Sequence, residues 1–258
     1  MKKIWKFILL TFAITWIPWG IIILANQFGA LSYGTPLFMV LFLIGGQGPA
    51  IAAYLMLRSS YSEKPFRSFL RWSFGTAGSS KSYLFCFILL AVHFILLTVF
   101  GSMKMGGSMF ISVLMIIPMI ILGGTEEIGW RGFLQPKLNK NMGSLGLYIS
   151  PLLIAALWAL WHLPLWFIQG TGQFGSNFYW FALSILGISY LLAALRYVTK
   201  SVFICILFHS AFNALSNSFI PIFGSAFMYI ALVEVIVSLV ILRYLSYKAS
   251  EKTLLDLD

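Results

Sequence analysis

The sequence predicts an all-α protein, a polytopic bundle of about eight transmembrane helices with both termini in the cytoplasm. Three observations carry that prediction. The 258-residue chain is 60% hydrophobic and 9% charged, with a mean hydropathy of +0.93, whereas a soluble globular domain carries about 25% charged residues. Its apolar residues gather into runs near the roughly 20 residues that a helix needs to cross a bilayer. Its basic residues are segregated as the positive-inside rule requires. With eight spans, sixteen of the seventeen Lys and Arg fall on the side of the termini, and only Lys104 falls on the other. The net charge of +10 is therefore a topology signal rather than the footprint of a nucleic-acid surface.

The first span covers about residues 4–25. Met1-Lys2-Lys3 ahead of an apolar run resembles a signal peptide, but the run is too long and no small-residue cleavage site follows, so a retained span is expected. The second covers about 36–57. A polar insertion at 59–81 contains Pro65-Phe66-Arg67-Ser68-Phe69-Leu70-Arg71-Trp72, in which basic and aromatic residues alternate between the faces of a short helix. That pattern suits an interfacial segment held against anionic lipid, with a docking site for a partner as the sharper alternative. Further spans follow at about 82–100, 108–130, 145–168, 178–195, 201–219 and 222–245, the last two separated only by Ile220 and Pro221. Residues 1–258 read as one integral membrane domain, without internal repeat, low-complexity tract or soluble module. Cys86 and Cys205 lie in apolar runs with no C-x-x-C spacing, which supports buried inert thiols and neither a disulfide framework nor a thiolate metal site.

Only seven residues are acidic, and two are adjacent, in Gly123-Gly124-Thr125-Glu126-Glu127-Ile128-Gly129-Trp130-Arg131. A carboxylate inside a bilayer costs roughly 2.5–3.5 kcal/mol, so the pair marks a functional site. In a helix Glu127 and Arg131 pair along one face, while Glu126 points about 100° away and is left for another task. Gly123, Gly124 and Gly129 favour close approach of a neighbouring helix. The fifth span holds Trp158, His162 and Pro164. Pro164 cannot donate to the carbonyl of Leu160, so the helix is expected to distort beside His162, as at the wall of a cavity. In the seventh span His209 and Asn213 are four apart and can donate towards a common point. Taken singly, these motifs also read as a boundary ion pair, a core histidine and an interhelical hydrogen bond. His93 and Glu234 each stand alone in a span, and structural hydrogen bonding is the expectation for both.

Together, E-E-x-x-x-R, W-x-x-x-H and H-x-x-x-N on three spans resemble the CPBP family of intramembrane proteases, also called the CAAX-protease and bacteriocin-processing or Abi family, which includes the type II CAAX prenyl endopeptidases. The likeness covers about residues 108–219. In the family the aromatic of the second motif is commonly Phe, and here it is Trp158. Neither H-E-x-x-H nor G-x-S-x-G occurs. The resemblance implies that Glu126 with His162 activates the attacking water. His209 and Asn213 would then stabilise the oxyanion, while Glu127 and Arg131 hold the turn.

The family has been described both as metalloproteases and as glutamate-dependent proteases. The expectation is that no cofactor is required, with zinc or another divalent metal on Glu126, His162 and His209 as the alternative. The implied partners are a peptide or membrane-protein substrate and the lipid bilayer, without nucleic acid; lipidation of the substrate and the oligomeric state stay open. Family distribution implies a bacterial plasma membrane. Because Arg131 ends its span, the carboxylates are expected within about 8 Å of the cytoplasmic end, in a cavity opening that way. Two other function classes stand beside this one. The first is a non-catalytic bacteriocin-immunity or scaffold protein of the same fold. The second is a secondary transporter using Glu127, Arg131 and Glu234, disfavoured by the lack of a repeat.

Overall fold

The computed structural model describes residues 1–60, 65–75 and 78–255, with only helical backbone described beyond residue 246. The helices are α1 (Lys2–Gln27), α2 (Pro36–Gly46), α3 (Gly48–Leu57), α4 (Pro65–Phe74), α5 (Ser80–Val99), α6 (Met109–Met119), α7 (Gln135–Met142), α8 (Gly146–His162), α9 (Phe178–Thr199), α10 (Val202–Leu215) and α11 (Ala226–Leu255). Among the described residues the only strands are β1 (Met103–Met105) and β2 (Phe219–Pro221), an antiparallel ribbon that sets Lys104 opposite Ile220. The break between the last two apolar runs is thus a whole connection, 216–225, rather than Ile220 and Pro221 alone.

All eight apolar runs are helical, but they differ in length. Five stretches are long and apolar enough to cross a membrane, Lys2–Gln27, Ser80–Val99, Ile128–Phe167, Phe178–Thr199 and Ala226–Ser246. A sixth results if α2 and the helix following it, bent by 50° at Gln47, count as one. The other two, Met109–Gly124 and α10, are shorter; the paired glutamates follow the first directly, and the second carries the H-x-x-x-N motif. The fourth run does not end at Trp130. Helical winding continues through Leu134 into α7, and Arg131, which reads as a membrane boundary in the sequence, is fully buried.

The connections sort to two ends of the bundle. At one end Tyr33 meets Gly170, β1 pairs with β2, and Phe223 lies against Phe181 at the start of α9. At the other, Asn141 reaches Met1, Tyr148 meets Ser246, and Phe74 at the end of α4 meets Phe203. The N-terminus, the C-terminal part of α11 and the described basic residues share this second end, Lys104 on β1 and the buried Arg131 excepted. Lys64 lies outside the described residues, as do the side chains of Lys248 and Lys252.

At the same end α4 lays Phe69 and Ser73 on the bundle and exposes Phe66, Arg67, Leu70 and Arg71. Tyr54 of α3 packs edge-on against Phe66 and Phe69. Exposed apolar and basic side chains on one short helix are the composition expected of a segment lying at a lipid surface.

Candidate active site

The backbone around the paired carboxylates leaves α-helical winding. Ile120–Gly124 and Ile128–Leu134 wind as π-helix on either side of Thr125, Glu126 and Glu127. Such wide turns recur at functional sites and need partners for rerouted carbonyls. Gln47, at the bend between α2 and α3, supplies them. Its amide nitrogen donates to the Ile121 carbonyl at 2.6 Å, and its amide oxygen accepts from the Thr125 hydroxyl at 2.8 Å. The glycines let neighbours press in. A Cβ at Gly123 would collide with the Asn213 amide nitrogen, at Gly124 with the Ser210 hydroxyl, and at Gly129 with Pro49.

Glu126 and Glu127 point to different partners. Glu126 Oε2 accepts a 2.7 Å hydrogen bond from the Trp158 indole nitrogen. Glu127 lies between two partners: Oε1 is 2.9 Å from His209 Nδ1, and Oε2 is 3.4 Å from Arg131 Nε. The expected i,i+4 pair therefore forms, but Glu127 also orients His209. The Arg131 guanidinium donates to Ser189 Oγ at 3.2 Å and lies 5.4 Å from the centroid of the Trp158 ring. Ser189 in turn donates to the Pro151 carbonyl at 2.8 Å, so α8 and α9 are tied to the same charge. Ser189 and His209 sit near the middles of α9 and α10, which puts the site at mid-depth in the bundle.

The α8 helix stops at His162, and a 3-10 turn holding Pro164 follows. His162 Nδ1 is 2.8 Å from the Trp158 carbonyl. A carbonyl only accepts, so Nδ1 carries a proton, and in the neutral ring Nε2 keeps its lone pair. Rings of Trp161 and Phe181 meet His162 edge-on at 4.6 and 5.2 Å and fix its plane.

Glu126, His162, His209 and Asn213 line one cavity of about 580 Å³, together with Trp158. Glu127 and Arg131 sit behind that wall rather than in it. The cavity reaches Tyr33, Thr171 to Ser176, and Asn217 to Phe223, so its mouth lies at the end away from the basic residues. The expectation of an opening at the Arg131 end is not met. Arg131 does not finish its span, and Trp130, Arg131, Phe133 and Leu134 close that side with at most 3% exposure each.

His93 and Glu234 are not solitary. Their side chains pair at 2.6 Å, both buried, between α5 and α11. Neither lines the cavity, so a transport path through Glu127, Arg131 and Glu234 has no geometric support. Among the described residues no three His, Cys, Asp or Glu side chains gather as a metal-holding group. Glu126, His162 and His209 in this arrangement do not fit a three-ligand site, and no step below is routed through a metal.

Sequence reasoning missed Trp158 as a hydrogen-bond donor, Gln47 as the brace of the π turns, and Ser189 as the partner of Arg131. The signals were the indole in place of a phenyl ring and the run Gly45-Gly46-Gln47-Gly48-Pro49 inside an apolar span; Ser189 has no such signal.

A family model described as type II CAAX prenyl endopeptidase Rce1-like matches residues 107–215, which include all six motif residues. The chain is also similar to a curated relative, CAAX prenyl protease 2 of Methanococcus maripaludis. The two are 25% identical over 231 residues, spanning 80% of this chain and 81% of the relative.

Proposed function

We propose that this chain, a member of the CPBP or CAAX-protease family, is an intramembrane endopeptidase that hydrolyses a peptide bond with water activated by Glu126. The observation that carries the reading is the convergence of Glu126, His162, His209 and Asn213 on one cavity, with Glu126 held by Trp158. Peptide hydrolysis needs a base for water, donors for the developing oxyanion and shelter from bulk solvent.

Glu126 takes the proton of a water that sits between its free oxygen and the His162 Nε2 lone pair. The hydroxide equivalent adds to the scissile carbonyl carbon, and negative charge moves to the carbonyl oxygen. The Asn213 amide donates to that oxygen. With Nδ1 committed to Glu127, His209 Nε2 donates only as imidazolium, and Glu127 is its counter-charge. The proton held on Glu126 then passes to the leaving amine. Arg131 balances the second carboxylate and keeps Glu127 in place. The mechanism needs no metal, and activity that persists in chelator is its corollary.

The setting we propose is a bacterial plasma membrane, as the family's distribution implies, and the segregated basic residues argue for eight crossings with both ends in the cytoplasm. The test is comparative mass spectrometry of membrane peptides from cells carrying the wild type or Glu126→Gln. Cleavage products present only with wild type are expected. If Glu126→Gln leaves the products unchanged, the mechanism is wrong. If it retains the biological effect with no products in either strain, a binding scaffold replaces the protease.

A further inference from the structure

We infer that the bend between α2 and α3 positions both halves of the water-activating pair. Gln47 in the bend fixes the turn that carries Glu126, and Thr15 of α1, lodged in the same bend, fixes the ring against which His162 stands. The inference rests on the protease reading for the reaction it serves, but its geometry stands apart from catalysis. Gln47 and Thr15 both lie outside residues 107–215, so the site is completed by a part of the chain that the family model does not match.

On the carboxylate side, π winding reroutes the backbone. The Thr125 N–H donates to the Ile120 carbonyl at 2.9 Å, so the Ile121 carbonyl loses its α-helical partner. Gln47 Nε2 donates to that carbonyl at 2.6 Å, and Gln47 Oε1 accepts from the Thr125 hydroxyl at 2.8 Å. One amide thus holds two points of the turn that leads into Glu126. Beyond the glutamates, Gly129 lies against Pro49, where a Cβ would collide with the Pro49 ring and carbonyl oxygen. The turn is therefore seated on residues 47–49 both before and after its carboxylates.

On the histidine side, the fully buried Thr15 hydroxyl donates to the Gly45 carbonyl at 2.7 Å and accepts from the Trp161 indole at 2.6 Å. An indole N–H only donates and a carbonyl only accepts, so the single hydroxyl proton is committed to the bend. Trp161 is the ring that meets His162 edge-on at 4.6 Å. Glycines let α1 come this close. A Cβ at Gly45 would collide with the Trp19 indole, and one at Gly48 with the Thr15 hydroxyl.

Glu126, Trp161 and His162 line the cavity, whereas Gln47, Thr125 and Thr15 do not. The latter three act only through the groups they hold, as positioning residues. A water shared by a carboxylate and an imidazole reacts only when the two stand at the right separation, and a misplacement of about 1 Å costs roughly 100-fold in rate. Loosening either hold should therefore lower kcat and spare KM.

The experiment uses the full chain in detergent. Gln47→Met removes both bonds to the turn at similar side-chain length, Thr125→Val removes one of them, and Thr15→Val removes the hydroxyl at similar volume. The substrate is a peptide spanning a bond cut by the wild type and spared by Glu126→Gln. Each variant should lower kcat about 10- to 100-fold at nearly constant KM. Thr125→Ser and Thr15→Ser keep the hydroxyl and should recover most of the rate. An unchanged kcat, or no recovery with serine, overturns the inference. A second readout needs no catalysis, the NMR signals of isotope-labelled Trp and His. The Trp158 indole signal, identified by its loss in Trp158→Phe, should shift in Gln47→Met and Thr125→Val because its acceptor Glu126 moves. The His162 ring signal, identified by its loss in His162→Gln, should shift in Thr15→Val. Unmoved signals overturn the inference whatever the rates. If Gln47→Met fails to accumulate, Thr125→Val carries the same test. Shifted signals in a protein that cuts no peptide would end the protease reading and leave the bend as the holder of Glu126 and His162.

Discussion

An indole in place of a phenyl ring at position 158 adds one donor, and that donor goes to Glu126 at 2.7 Å. The same ring meets His209 edge-on at 5.3 Å and lies under the Arg131 guanidinium, and the Trp158 carbonyl accepts from His162, so Trp158 touches four of the residues the motifs single out. A hydrogen bond to a charged group contributes about 1.5–3 kcal/mol. Trp158→Phe keeps the aromatic volume and removes only the N–H. Its kcat should fall roughly 10- to 100-fold with KM little changed, read by steady-state cleavage of a substrate peptide; an unaltered kcat would mean that Glu126 needs no such tether. Arg131 makes a different prediction. It is wholly buried beside Glu127, and Arg131→Ala leaves that carboxylate without its cation. A loss of about 3–5 kcal/mol of stability is expected, visible as early thermal unfolding in detergent.

Helices α5, α9 and α11 meet around a second polar pair, and it is not part of the catalytic wall. His93 Nδ1 and Glu234 Oε1 are 2.6 Å apart, and a Cβ at Gly187 on α9 would run into the other Glu234 oxygen. Glu234→Ala strands a buried imidazole and should cost stability, while His93→Leu combined with Glu234→Leu should recover most of the loss, because replacing both partners removes the desolvation cost along with the attraction. Thermal melts of the single and double variants decide it; a neutral single variant means the pair clamps nothing. This pair also shows what the sequence could not disclose. Each residue is alone in its run, and the contact spans 141 positions, beyond any helical spacing rule. The motif pairs at i,i+4 were legible because helix geometry alone brings Glu127 to Arg131. Apolar runs were legible because hydropathy is local. The boundary at Trp130 misled for a physical reason: Arg131 looks like a span end until Glu127 and Ser189, brought in by packing, neutralise and hold it. The π turns likewise depend on Gln47, some 74 positions from the carbonyl it binds.

For the molecule as a whole, length and connectivity give different counts of the crossings. By length and apolarity alone, five or six stretches qualify. By connectivity, α1, the bent α2–α3 pair, α5, α6 with its π turn, α8, α9, α10 and α11 run alternately between the two ends, which makes eight. The discrepancy falls on α6 and α10. A 14-residue helix such as α10 rises about 21 Å, short of the roughly 30 Å hydrocarbon layer. That deficit matters only where lipid meets the helix ends, and α10 is buried along most of its length, so protein rather than lipid surrounds it. Eight passes return the chain to the end of the bundle where it starts, and the positive-inside rule predicts that this end faces the cytoplasm. Green fluorescent protein fused before Met1 or after Asp258 should therefore fluoresce in both fusions, since it folds in the cytoplasm and not after export through the general secretory route. Alkaline phosphatase, active only outside, should be silent at both positions. One terminus of each kind would require an odd count, and α6 or α10 would then be a helix that enters the membrane and returns.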